Sequence, residues 1–279
     1  MRHLRTLCLL VLLFAVSQPS SGWCFAHKVV AHIAMQYLTP ATKEKLDYYL
    51  DASLVEYSLW MDRCRPQEKY LYTHPWHMGT SDENWEPASS LDEVRGTTGG
   101  RIEPGIEHVY GVLKNWKELD DSTVFDNIKL ITHMVGDLHC PAHRYYYDLP
   151  TYKGHSGYDS KYGWFPLKYN GQSTTYHAVW DLALDRAHPE FGLKVGLYTA
   201  HIDSGISAEL RQEIMSGTVR DWAIEENKVC RQVYTWAKPG DEIDASWYRS
   251  HVDFIDRQVL KAGYRLAKIL NTVFDENYR

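Results

Sequence analysis

Apolar residues return every three or four positions through most of this chain, and that period restricts it to a mostly helical body. In HKVVAHIAMQYL (27–38), Val30, Ile33, Ala34 and Leu38 share one helical face. Thr39-Pro40 then opens a second helix, ATKEKLDYYL. The same spacing predicts helices over 106–119, 124–139, 176–188, 208–217, 218–237 and 246–274. Two long connections interrupt the pattern. Residues 79–105 are rich in Gly, Ser and Asp, and 145–175 are dense in Tyr and Gly, with WFPLKYNG suited to a small hairpin. Long loops on a helical body commonly carry binding surfaces. The expected fold is all-α, in one domain spanning 23–279.

Residues 1–22 read as a targeting segment. Arg2 and Arg5 make a basic start, Leu7 to Val16 an apolar run, and Ser17 to Gly22 a small, polar exit. The run is too short to span a bilayer, and no later stretch approaches about 18 uninterrupted apolar residues, so no membrane anchor is expected. The chain should be exported, to a periplasm or to the medium, after loss of 1–22. Removing Arg2 and Arg5 from 30 Lys plus Arg leaves 28 against 36 Asp plus Glu, a mature formal charge of −8. That argues against broad electrostatic grip on a duplex backbone. A phosphate ester would have to be attracted by something other than Lys and Arg.

Five cysteines are present, and Cys8 leaves with the leader. Cys24, Cys64, Cys140 and Cys230 remain. An even number in an exported chain favours two disulfides, with three possible pairings. Their wide spacing contains no CxxC, which speaks against a structural zinc knuckle.

The histidines are more informative. His133 and Asp137 lie four apart in one apolar-periodic segment, and His177 and Asp181 repeat that spacing in another. Residues i and i+4 of a helix share a face, about 5–6 Å apart, so each pair can approach one ion. A single His-x-x-x-Asp is more often a surface or capping pair, but two on apolar helices are harder to dismiss. A buried carboxylate needs partners, and imidazole with carboxylate is a ligand set suited to zinc. His143 follows in HMVGDLHCPAH, Asp62 stands in WMDRCR, His77 in PWHM, and His27 near the mature start.

Together these segments resemble the S1/P1 nuclease family, which shares its fold with zinc-dependent phospholipase C. Trp23 and His27 in WCFAHKVVAHIA, Asp62 in WMDRCR, His77 in PWHM, the block HMVGDLHCPAH and the block YHAVWD occur in family order across nearly the whole mature chain. The resemblance implies three zinc ions. Asp62, His77, His133 and Asp137 would hold one; His143, His177 and Asp181 a second; His27, Asp137 and the terminal amine and carbonyl of Trp23 a third. It implies that Arg65 contacts phosphate, and that Asp62, Arg65 and Asp137 are the catalytic residues. The implied reaction is hydrolysis of single-stranded RNA or DNA, or of nucleotides, by a metal-activated hydroxide, leaving 5′-phosphates, with 3′-nucleotidase activity and a monomeric enzyme. A precursor retaining its leader would lack the terminal amine and be inactive.

Some positions depart from the family pattern. Trp23 and His27 are four apart rather than five, which leaves Gly22 as an alternative mature terminus, and Cys24 replaces the usual Gly. Met78 stands where a base-stacking aromatic is common, so Met78 is the candidate substrate contact, and Tyr145, Tyr146, Tyr147, Tyr158, Tyr162, Trp164 and Phe165 offer other stacking surfaces. Cys140 replaces a common Gln, and its neighbour His139 reads as a support for the ligands. His32, His74, His108, His155, His188, His201 and His251 match no metal position and read as structural or surface residues. A phospholipase C is the alternative enzyme, although that branch spaces its first Trp and His further apart and uses Glu in its late motif. A non-catalytic zinc-binding protein is the third reading.

Overall fold

The structure, a computed structural model, describes residues 24–93, 100–145 and 165–278. It is mostly helical, as the periodicity requires. In chain order the helices are α1 (Cys24–Gln36), α2 (Pro40–Tyr49), α3 (Leu54–Tyr57), α4 (Trp60–Cys64), α5 (Ile102–Leu113), α6 (Asp121–His139), α7 (Tyr176–Asp181), α8 (Ala183–Ala187), α9 (Val195–Asp203), α10 (Ala208–Met215), α11 (Val219–Val233), α12 (Ala245–Ser250) and α13 (Val252–Phe274). The strands are short: β1 (Gly79–Thr80), β2 (Arg144–Tyr145), β3 (Pro166–Tyr169), β4 (Gln172–Thr175) and β5 (Glu242–Ile243).

The centre is a layer of α1, α6 and α13, with α5 packed on α6 and α9 on α1. Helix α1 buries Val29, Val30 and Ile33 completely, and α6 does the same with Val124, Ile128, Ile131 and Val135. Each such side chain contributes roughly 1.5–3 kcal/mol by leaving water. This apolar packing fixes the two helices that carry His27, His133 and Asp137. Side-chain caps start several helices: Thr39 accepts from Thr42 N, Asp120 from Thr123 N, Thr175 from Ala178 N, and Thr218 forms a capping box with Asp221.

Several boundaries differ from those read in the sequence. The stretch 176–188 breaks at Leu182, and 246–274 breaks at His251, each a residue with non-helical backbone angles. Helices α3, α4 and α9 were not anticipated, because segments of four to nine residues are too short to display a period. The hairpin in WFPLKYNG is present: β3 and β4 pair antiparallel, and Asn170 and Gly171 both take positive φ (49° and 76°), as a tight two-residue turn demands.

The two expected disulfides are not formed. Cys64, Cys140 and Cys230 are buried thiols. Cys64 Sγ donates to Met61 O at 3.3 Å, and Cys230 Sγ donates to Arg144 O at 3.1 Å. Each behaves as a small buried hydrophobe satisfied by a nearby carbonyl, which even cysteine counting cannot reveal. Among the described residues no helix is long and apolar enough to cross a membrane.

Candidate metal centre

Five imidazoles and three carboxylates converge at one end of α6, and Asp137 is their hub. Its Oδ1 lies 3.1 Å from His27 Nε2 and 3.0 Å from His143 Nδ1. Its Oδ2 lies 3.0 Å from His77 Nδ1 and 3.2 Å from His133 Nε2. Asp62 Oδ1 approaches the same two rings, at 3.7 Å from His77 Nδ1 and 3.6 Å from His133 Nε2. On the other flank, Asp181 Oδ1 lies 3.5 Å from His143 Nε2, and Oδ2 lies 3.4 Å from His177 Nε2. All eight of these sequence candidates are therefore brought together.

Local structure explains the convergence. His133 and Asp137 share a face of α6 by their i,i+4 spacing, and His177 and Asp181 do so on α7. His27 comes from the first turn of α1 and stacks on the His133 ring, with centroids 4.0 Å apart. Gly136 makes that approach possible: a Cβ there would stand 2.4 Å from His27 Nδ1. His77 ends a 3-10 segment (Glu68–His77), and the parallel pairing of β1 with β2 sets it beside His143, which ends another (Pro141–His143).

Carbonyl oxygens outside the cluster orient the rings. His133 Nδ1 donates to Ser58 O at 2.8 Å, His143 Nδ1 to His77 O at 3.0 Å, and His177 Nδ1 to Ala142 O at 3.1 Å. A carbonyl can only accept, so each Nδ1 carries a proton, and whenever the ring is neutral its Nε2 turns a lone pair inward.

The charges are strongly coupled. Burial pulls the His133 imidazole down, but the Asp137 and Asp62 carboxylates outweigh it and raise it to about 9. Burial is likewise overcome at His143, which Asp137 raises well above its ordinary value. His27, His77 and His177 are lowered by burial. Burial would push Asp137 up, yet His143 and His133 hold it well below the ordinary carboxylate range.

Zinc fits this donor set. The oxygen and nitrogen atoms of Asp62, His77, His133 and Asp137 stand 3.0–3.7 Å apart across the pairs given above and the 3.3 Å between His77 Nδ1 and His133 Nε2. A tetrahedron with bonds of about 2.0–2.1 Å has edges of about 3.3 Å. His143 Nε2 and Asp181 Oδ1 are buried and make no hydrogen bond, although they face one another. With the His143 ring neutral, two lone pairs meet there, which a shared cation resolves. Cys140 lies within reach of His143 and Asp181, but burial pushes its thiol up to about 12 and keeps it protonated.

The remaining candidates are placed differently. Trp23 lies outside the described residues. Arg65 is exposed at the end of α4, one turn from Asp62, and its carbonyl meets His74 Nε2 at 2.6 Å. Met78 is half-buried beside His77, its carbonyl accepting from Ile102 N at 2.9 Å. Tyr145 and Phe165 are buried, and Phe165 stacks on Tyr176, so neither is a base platform. Tyr146, Tyr147, Tyr158, Tyr162 and Trp164 fall outside the described residues. His139 turns toward α13, where its Nε2 accepts from Arg265 Nη1 at 2.9 Å. The sequence reading missed a buried clamp next to His143. Arg144 pairs with Glu103 and donates to Asn227 Oδ1, anchoring the residue that follows His143. A fully charged side chain directly after a candidate ligand was the available signal.

The sequence pattern of the S1/P1 Nuclease family matches residues 23–275. Nuclease S1 of Aspergillus oryzae (strain ATCC 42149 / RIB 40) is 22% identical over 286 residues, covering 93% of this chain and 94% of its own. Nuclease P1 of Penicillium citrinum is 24% identical over 268 residues, covering 88% and 96%. Endonuclease 1 of Arabidopsis thaliana is 22% identical over 291 residues, covering 96% and 92%. A match spanning nearly the whole described structure, together with a buried His/Asp cluster able to hold metal, shows that this chain belongs to the S1/P1 nuclease family of zinc-dependent phosphodiester hydrolases.

Proposed function

We propose that the chain is an endonuclease of single-stranded RNA or DNA that leaves 5′-phosphate products and also removes 3′-phosphates from nucleotides. The observation that carries this reading is the meeting of two histidine-aspartate groups on the two oxygens of Asp137. In this reading Asp62, His77, His133 and Asp137 hold one zinc, and His143, His177 and Asp181 hold another. His27 and Asp137, with the amine and carbonyl of Trp23, hold a third once residues 1–22 are removed on export. When bound, such ions attract phosphate, stabilise a leaving oxygen and lower the pKa of water toward about 7.

The chain's own groups do the positioning. Asp137 spends one oxygen on each side and so ties the groups at a fixed separation. The carbonyls of Ser58, His77 and Ala142 keep three imidazoles in the tautomer that presents Nε2. Arg65, exposed beside Asp62, is suited to a phosphate oxygen, and Met78 to the flat face of a base. The acidic surface leaves the centre as the source of local attraction for a polyanion. An unstacked strand, whose bases are free to meet side chains, suits this reading better than a paired duplex, whose bases stay in the stack.

The test uses two preparations, one beginning at Trp23 and one at Met1. The first should cleave single-stranded DNA and RNA faster than duplex, be stopped by a chelator, and leave phosphatidylcholine intact. The second should be inactive. Turnover of phosphatidylcholine in preference to nucleic acid would overturn the reading in favour of a phospholipase C. Zinc content without any hydrolysis would overturn it in favour of a binding protein.

A further inference from the structure

A second group of imidazoles and carboxylates sits elsewhere, between the turn after α8, helix α9 and helix α13, and shares no residue with the first. His188 Nδ1 lies 2.9 Å from Glu190 Oε1, and His188 Nε2 lies 3.0 Å from Asp256 Oδ2. His201 stands one ring away, with centroids 5.0 Å from His188, and the ligand atoms of His188, His201 and Asp256 all lie within 4.8 Å of one another.

We propose that His188, His201 and Asp256 form a separate site for a zinc-class divalent ion that ties α9 to α13. The arrangement repeats the layout of the first centre. There, His177 is held at Nδ1 by a carbonyl and turns Nε2 toward Asp181 Oδ2 at 3.4 Å. Here, His188 is held at Nδ1 by Glu190 and turns Nε2 toward Asp256 Oδ2. A carboxylate behind a ligating imidazole is a recurrent support for metal binding. Asp256 is anchored in turn, because Tyr198 OH donates to its other oxygen and leaves Oδ2 for the site. A proton could bridge His188 and Asp256, but a proton makes no use of the third donor that His201 brings.

The donor chemistry selects the ion. Two imidazoles and one carboxylate suit zinc and its neighbours, whereas calcium and magnesium prefer oxygen throughout. His201 is exposed, so water can complete the shell. The ion would be structural, since it would pin the short Pro189–Phe191 turn and α9 to the long C-terminal helix.

The chain beginning at Trp23 is saturated with zinc, desalted, and its metal counted by mass spectrometry alongside His201→Ala and His201→Asp. His201→Ala should carry one zinc fewer and keep full nuclease activity. His201→Asp, which returns an oxygen ligand to the same place, should keep the ion. Equal zinc counts in the unsubstituted protein and His201→Ala overturn the proposal, as does a zinc loss in His201→Ala accompanied by loss of nuclease activity.

Discussion

The chain uses one motif, His-x-x-x-Asp, in two very different settings. His133 and Asp137 stand on α6, a helix of 19 residues that is buried from Ile128 to its end. His177 and Asp181 stand on α7, six residues long and broken at Leu182. The first pair is carried by a rigid core helix, and its carboxylate faces four imidazoles. The second carboxylate faces two. Identical spacing therefore brings a His–Asp pair onto one face, while the length of the supporting helix and the imidazoles that distant segments bring to the carboxylate decide whether that pair becomes a hub or an arm.

Substitution of the two carboxylates tests this asymmetry most severely. Asp137→Asn should lower nuclease activity by more than about 100-fold, beyond what losing a supporting contact costs, and should release more than one ion. Asp181→Asn should release one ion and cost at least about tenfold less than Asp137→Asn. Equal losses in kcat and in metal content would show that Asp137 is no hub.

Next in size is the clamp behind His143. Glu103→Gln leaves Arg144 buried without its counter-charge, which should lower stability by about 3 kcal/mol in urea unfolding. Because Arg144 directly follows His143, zinc should also leave the His143–His177–Asp181 arm more readily than it leaves the Asp137 hub. Unchanged metal affinity in that variant would separate the clamp from the centre.

Protons give a third comparison. In metal-free protein near pH 7.5, His133, raised to about 9, and His143, raised well above its ordinary value, carry protons. His27, His77 and His177, lowered from 6.5, do not. Zinc needs neutral imidazole, so loading should release about two protons, read from calorimetry in buffers of different ionisation heat. The sign of the stability effect follows. Protonated His133 stabilises the metal-free fold fully below 6.5, and that contribution is lost as pH rises through about 9.

The smallest effects lie at the helix caps. Asp120→Ala on α6 and Thr175→Ala on α7 should each cost about 1 kcal/mol. Only Thr175→Ala should also weaken zinc binding, because α7 is six residues long and has few further backbone hydrogen bonds to keep His177 in register once its cap is gone. Equal metal affinity in the two variants would remove helix length from the explanation.

Much of the site was legible in the primary structure because a helix converts spacing directly into direction. His133 with Asp137, and His177 with Asp181, share a face whatever the rest of the chain does. His27, Asp62 and His77 had no such local partner; only family order pointed to them. That Glu103 and Asn227 clamp Arg144 was not legible, since the three lie far apart in the chain and meet only through packing. The cysteines misled for a related reason. Their number is a property of the chain, but pairing depends on distances that the fold sets, and Cys64 and Cys230 end against carbonyls.

Taken alone, the order of residues determined a helical body, a hairpin at Asn170-Gly171, two His-x-x-x-Asp pairs each on one helix face, and the family. Those properties arise from interactions within a few residues, where backbone geometry leaves few choices. The tertiary structure decided which carboxylate became the hub, which imidazoles are raised and which lowered, and that His188, His201 and Asp256 assemble at all. Each of those outcomes depends on burial and on charges brought together from distant segments, and neither exists until the chain is packed.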